Sequence, residues 1–271
     1  MPPQGDGSLT FFYTNQQSAR LMFYHDHAVG LTRLNVYAGE AAGYLLTDPT
    51  EESLINNGTL PNLGGIYRYG VPLIIQDKTF VPDPAYLAST DPLWDTSKWG
   101  GKGNLWFPHV YIPNQNPNSP DGVNPMGRWD YGPWFWPPMD PSTLLGPLPH
   151  PSLVPEAFMD TPIVNGTPYP YVVVEPKPYR FRILNACNDR FLNLQLYYVD
   201  PTIPVGTPGY GTEVQMVPAV ATPGFPSYWP TDAREGGVPN PALAGPDIIQ
   251  IGTEGGFLPK PVVIPSTPIN Y

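Results

Sequence analysis

Residues 161–199, TPIVNGTPYPYVVVEPKPYRFRILNACNDRFLNLQLYYV, decide the fold class. β-branched and aromatic residues crowd into short runs, and Pro, Gly and Asn cut the runs apart. This texture predicts three strands, around PIVNG, YVVVE and YRFRILNA. In the last, Tyr179, Phe181 and Ile183 alternate with Arg180 and Arg182, the two-residue period of a half-buried strand. Working outward, VPLIIQDKTF (71–80) reads as a strand with an apolar centre, compatible with burial on both faces. DIIQIGTEGGFLPKPVVI (247–264) predicts two more strands, with GTEGGF as the turn between them. Residues 8–48 also read as strands, in SLTFFYT, ARLMFYHDH and LNVYAGEAAGYLLTD, and Asp48-Pro49 closes that block. Residues 49–70 read as a polar Gly/Asn-rich link. Residues 81–157 hold Trp, Pro and Gly with no periodicity beyond a short strand signal at LWFPHVYI, and read as a proline-stiffened wrap over neighbouring elements. The expected class is all-β and sandwich-like.

Composition agrees. The 40 prolines and 27 glycines among 271 residues oppose long helices and suit short strands joined by long loops. With 41% hydrophobic residues, 7 Trp, 17 Tyr and 11 Phe, the chain is too apolar and aromatic for a disordered one. A formal charge of −10, from 13 basic and 23 acidic residues, disfavours a nucleic-acid footprint. No apolar run approaches membrane-spanning length. The opening MPPQGDGSLT has neither the basic nor the apolar region of a signal peptide. Cys187 is the only cysteine, so no intrachain disulfide forms.

Chemistry concentrates in LMFYHDHAVG, residues 21–30. On a strand, residues i and i+2 share a face about 6.5–7 Å apart. His25 and His27 therefore face one way and Asp26 the other. Neutral imidazole is the commonest metal ligand among side chains. Two imidazoles at this spacing can chelate one metal, bind one each of two adjacent metals, or stand as surface or core-edge histidines with no metal. Asp26 and Arg33 are the candidates for supporting the pair. Asp26 can hydrogen-bond a neighbouring group and fix the strand geometry, or act as a solvated carboxylate; Arg33 reads as half of a structural ion pair. His109 and His150 are isolated and read as loop or core-edge residues. The aromatic–proline cluster at 126–139, MGRWDYGPWFWPPM, reads as packing of the long loop onto the body, with a substrate approach or partner surface as the functional alternative. Asn57-Gly58-Thr59 and Asn165-Gly166-Thr167 have the form of glycosylation acceptors.

The residues around the histidines add a resemblance. YHDHAVGLTRLNVYAGEAAGYLLTDP, residues 24–49, resembles the second histidine motif of the multicopper oxidases, the laccase and bilirubin-oxidase group. The matching residues are Tyr24 to His27, Thr32 to Gly39, and a strand ending in Asp48-Pro49. Residues 161–196 resemble the opening of that family's second cupredoxin domain, residues 248–263 a later strand pair of the same domain, and VPLIIQDKTF fits between.

The resemblance implies cupredoxin-like Greek-key β-sandwich domains. Residues 1–80 would be the C-terminal part of the first, 81–157 a proline- and aromatic-rich connection, and 158–271 a truncated second. It implies a copper-dependent oxidase, extracellular or periplasmic, that oxidises phenols, related aromatics or metal ions and reduces dioxygen to water. His25 and His27 would each ligate one of two type 3 coppers. The family uses eight histidines in four such motifs for its trinuclear cluster, and a cysteine with two histidines for its blue copper. This chain has 4 histidines, one His-x-His pair, and a Cys187 with no histidine beside it, which reads as structural. The expectation is therefore a section of an oxidase that supplies part of the type 3 site and is inactive by itself. The remaining ligands would come from other oxidase segments or a second chain. The competing expectation is a non-catalytic cupredoxin-like binding or structural protein derived from an oxidase.

Overall fold

The computed structural model describes residues 5, 7, 9–90, 95–105, 159, 161–217 and 238–266. His109, His150, the aromatic cluster at 126–139 and the strand signal at 106–112 lie outside the described residues. Among the described residues the regular structure is mainly strand, gathered in sheets with few short helices, which is the all-β class and agrees with a cupredoxin-like β-sandwich. β1 (Arg20–His25) and β2 (Ala41–Leu46) form an antiparallel hairpin, with α1 (Thr32–Ala38) between them. α2 (Pro49–Asn56) leads to β3 (Val71–Lys78), then α3 (Pro84–Thr90) and α4 (Thr96–Trp99). β4 (Thr161–Val164), β5 (Thr167–Pro168) and β6 (Phe181–Asn185) join β3 in a four-stranded sheet of order β5-β4-β3-β6. β7 (Met216–Val217) pairs β8 (Val238–Pro239), and β9 (Ile248–Thr253) pairs β10 (Gly256–Ile264). No helix among the described residues is long and apolar enough to cross a membrane.

β3 lies inside its sheet. It runs antiparallel to β4, with Ile75 opposite Val164, and parallel to β6, with Val71 opposite Phe181. Two glycines permit the close approaches around it. A Cβ on Gly43 of β2 would stand 3.0 Å from Ile74 Cδ1 and 3.3 Å from Leu21 Cδ1, so the hairpin lies tight over the sheet. Gly70 has φ +100°, and a Cβ there would stand 3.1 Å from the Arg180 carbonyl oxygen. That oxygen accepts from the Val71 N–H at 2.8 Å and starts the β3–β6 pairing.

Four sequence expectations are corrected. Residues 32–38, read within a strand, form α1, because Tyr37 is drawn into the core beside Met159 and Leu105 and its hydroxyl accepts from the Thr79 N–H at 2.8 Å. A seven-residue helix has little stability of its own, so this packing is what holds it. Residues 49–56, read as a link, form α2. Residues 171–174, YVVV, are not in a strand, and Val173 is 87% exposed. Prolines 168, 170, 176 and 178 bracket them, fixing φ and removing ladder donors. Residues 9–14 of SLTFFYT likewise form no strand.

The alternation of β6 is present, but its buried face is the arginine one. Arg180 and Arg182 are buried, whereas Phe181 and Ile183 are exposed. Both arginines converge on Glu51 of α2, which is fully buried. Arg182 hydrogen-bonds its Oε1, and Arg180 Nη1 ion-pairs with the same oxygen at 2.7 Å without hydrogen-bond alignment. Arg182 Nε also donates to the Tyr69 carbonyl at 2.7 Å, and the Arg180 guanidinium lies 5.2 Å from the Phe257 ring centre. Burial, and then the neighbouring Arg180, lower the pKa of Arg182.

α2 starts where its chemistry says it should. Asp48 caps it, accepting from the Glu51 N–H at 2.8 Å, with Pro49 in the first turn and Glu51 and Glu52 beside the positive end of the helix. The second carboxylate oxygen of Asp48 accepts from the Ala19 N–H at 2.8 Å, fastening the start of β1 to the helix. The Ala19 and then the Glu51 N–H hold this carboxyl below the usual carboxylate range. A depressed folded pKa contributes stability above the unfolded carboxylate value and loses it as pH falls through the folded one. Asp48→Ala is expected to cost about 1–2 kcal/mol in denaturant unfolding at pH 7, and the gap from wild type should narrow as pH drops below about 4. An unchanged gap at pH 2–3 would count against the cap (range on the order of the unfolded carboxylate value).

Candidate metal centre

β1 delivers the first histidine. His25 is the last residue of the strand and pairs with Ala41 of β2. His27 lies just beyond the ladder. Both are exposed, and their rings stack side by side with centres 5.8 Å apart and planes 26° from parallel. Phe23, two residues before His25, stacks on its other side with centres 5.8 Å apart. The expected juxtaposition of the two imidazoles is thus present, although only His25 is in the strand.

His25 Nδ1 lies 2.6 Å from the carbonyl oxygen of Asp26. A carbonyl only accepts, so Nδ1 carries the proton and Nε2 keeps a free lone pair, the arrangement of a metal-ligating imidazole whose other nitrogen is tied down. The Asp26 carboxylate accepts from the Ala28 N–H at 3.0 Å and from Asn35 Nδ2 at 2.9 Å. The Ala28 N–H and then the Asn35 amide hold its carboxyl below the usual carboxylate range. Arg33 on α1 ion-pairs with Asp189 at 3.8 Å, bridging to the segment after β6.

His25 also lines a cleft of about 570 Å³, with Arg33, Tyr37, Lys78, Cys187 and Asp189 among its walls. A larger hollow of about 840 Å³ lies beside α2, around Asp48, Glu52 and Asn56. It contains no histidine, so the smaller cleft is the one at the candidate site. Lys78 is half-buried above the Tyr37 ring, 5.8 Å from its centre, and burial lowers its pKa. Cys187 donates to the Ile75 carbonyl at 3.7 Å, and burial, then Asp77, push its thiol up to about 12. Such a thiol stays protonated and unreactive at neutral pH.

Among the described residues, no group of three or more His, Cys, Asp or Glu side chains could hold a metal ion. The two imidazoles fit a metal as two ligands of a larger set. The motif residues were legible in the sequence. Asn35, nine positions from Asp26, was not singled out, because neither helical nor strand spacing pairs those two positions. Asp77 was missed as well. It is buried, accepts from the Met159 N–H at 2.9 Å and the Asn188 N–H at 2.8 Å, and so ties β3 to both of its flanking segments near the cleft.

No protein-family model matches the chain. Curated proteins do. The chain is 34% identical over 199 residues to a laccase of Bacillus subtilis (strain 168), covering 73% of this chain and 28% of the laccase. It is 33% identical over 250 residues to a laccase of Bacillus stratosphericus, covering 92% of this chain and 29% of that protein. Similarity to a bilirubin oxidase of Albifimbria verrucaria is 30% over 190 residues, covering 70% of this chain and 21% of the relative. The chain thus spans less than a third of the length of these relatives.

Proposed function

The chain belongs to the multicopper oxidase family, and from that premise we propose that it supplies part of a type 3 copper site through His25 and His27. The observation that carries this reading is the stacked imidazole pair, with Nδ1 of His25 held by the Asp26 carbonyl and Nε2 free. Copper, when bound, supplies one-electron redox chemistry between a donor and dioxygen. The protein groups do the rest: the two imidazoles ligate, the β1 ladder and the Asp26 turn hold them, and the Phe23 ring covers one side of His25. The whole enzyme's reaction, in this reading, is oxidation of phenolic, aromatic or metal-ion donors with reduction of dioxygen to water, outside the cytoplasm or in a periplasm. The residue division at 80 and 158 into a first cupredoxin-like part, a connection and a second part belongs to the same proposal.

Four histidines in 271 residues do not make a trinuclear cluster, so the reading includes ligands from further oxidase segments or another chain. Reconstitution tests it. The chain is combined with a polypeptide carrying additional His-x-His motifs, and copper per assembly and dioxygen uptake with a phenol are measured. A full copper complement and dioxygen uptake are expected only in the combined sample. A copper-free, inactive assembly would sink the reading. It would leave a non-catalytic cupredoxin-like binding protein, which the count of 4 histidines favours for the chain in isolation.

A further inference from the structure

We propose that Asn35 is a positioning residue for the histidine pair: its side-chain amide, acting through the Asp26 carboxylate, locks the turn that presents His27 beside His25. The inference rests on the copper reading above and deepens it.

The need for such a device follows from where the strand stops. The β1–β2 ladder ends at the His25–Ala41 pair, so strand pairing fixes His25 and leaves His27 to the turn. One backbone bond continues past the ladder, from the Asp26 N–H to the Glu40 carbonyl at 3.0 Å. A second tie across His27 passes through the Asp26 side chain. Its Oδ2 accepts from the Ala28 N–H, closing a small ring around His27, and the same oxygen accepts from Asn35 Nδ2. Asn35 is itself anchored, since its carbonyl accepts from the Gly39 and Glu40 N–H groups at the end of α1. Thr32 Oγ1 adds a bond to the Ala28 carbonyl at 2.9 Å. Asn35 therefore joins the turn to a helix whose place is set by the buried Tyr37. Without its amide, the Asp26 carboxylate keeps the Ala28 N–H but loses its own bond to α1, and the turn that carries His27 loosens while His25 stays in its ladder.

Asn35→Asp tests this sharply. It sets a carboxylate against the Asp26 carboxylate and turns the attraction into repulsion. Asn35→Ala, which removes the amide without adding a charge, is the second variant. Cu²⁺ affinity is read by equilibrium dialysis, and the contact of each imidazole with Cu²⁺ by paramagnetic broadening of its ring resonances. Asn35→Asp is expected to weaken Cu²⁺ binding about 10–100-fold, the usual cost of removing an outer partner of a ligand. It should also relieve the broadening of the His27 ring and leave that of the His25 ring. Asn35→Ala is expected to fall between wild type and Asn35→Asp. Wild-type affinity in either variant overturns the proposal.

Two arms separate its failure from failure of the copper reading. If wild type and a His25→Ala/His27→Ala variant bind Cu²⁺ equally, the copper reading fails. Imidazole ring relaxation in the metal-free protein then decides the positioning role by itself. Greater mobility of the His27 ring alone in Asn35→Asp supports it, and unchanged rings overturn it. A merely structural role would move the thermal midpoint and both rings together.

Discussion

Replacing Glu51 with alanine is expected to cost about 3–5 kcal/mol of folding stability. Glu51 is 0% exposed, and it faces the Arg180 and Arg182 side chains, which are 7% and 8% exposed. Two guanidinium groups already share one carboxylate. Removing it leaves two buried cations facing each other, with no water to take up the charge. Arg182 would keep its bond to the Tyr69 carbonyl and Arg180 its place over Phe257, so neither can swing out cheaply. Glu51→Gln retains an oxygen acceptor and should lose less. The expected order of damage in guanidinium unfolding is Glu51→Ala, then Glu51→Gln, then Asp48→Ala. A loss below about 1 kcal/mol for Glu51→Ala would mean the cluster behaves as an exposed pair does, and the account of its burial would be wrong.

The second large effect is on metal binding. His25→Ala and His27→Ala are each expected to weaken Cu²⁺ binding by more than about 100-fold, beyond what loss of an outer partner brings. Both side chains are exposed, so folding stability should change little. His109→Ala and His150→Ala serve as comparisons and should leave Cu²⁺ binding at the wild-type level. Equilibrium dialysis of the four single variants gives the answer. If all four resemble wild type, His25 and His27 are ordinary surface histidines and the proposed role falls.

Sequence patterning predicted β3, β4, β6, β9 and β10 because their runs of β-branched residues are bounded by Pro, Gly or Asn. It failed at residues 32–38, where Val36 and Tyr37 carry strand preference. There, burial of Tyr37 against Met159, more than a hundred positions away, outweighs a local preference that is small for each residue. It failed again at residues 171–174, where flanking prolines matter more than the valines between them. In β6 it found the period and not the face. Alternation identifies two faces, but which one is buried depends on what lies opposite, and here that is a carboxylate 131 positions from Arg182.

The candidate site divides in the same way. The sequence by itself determined the histidine pair and its resemblance to the multicopper oxidases, because those depend on residue type and short spacing. It also fixed the number of imidazoles this chain can offer. Only the tertiary structure decided that the strand stops at His25, that Asp26 turns back to Asn35, and that Glu51 underlies the arginines of β6. Each of these depends on hydrogen bonds or ion pairs between residues that no period places together, and such contacts exist only once the chain has folded.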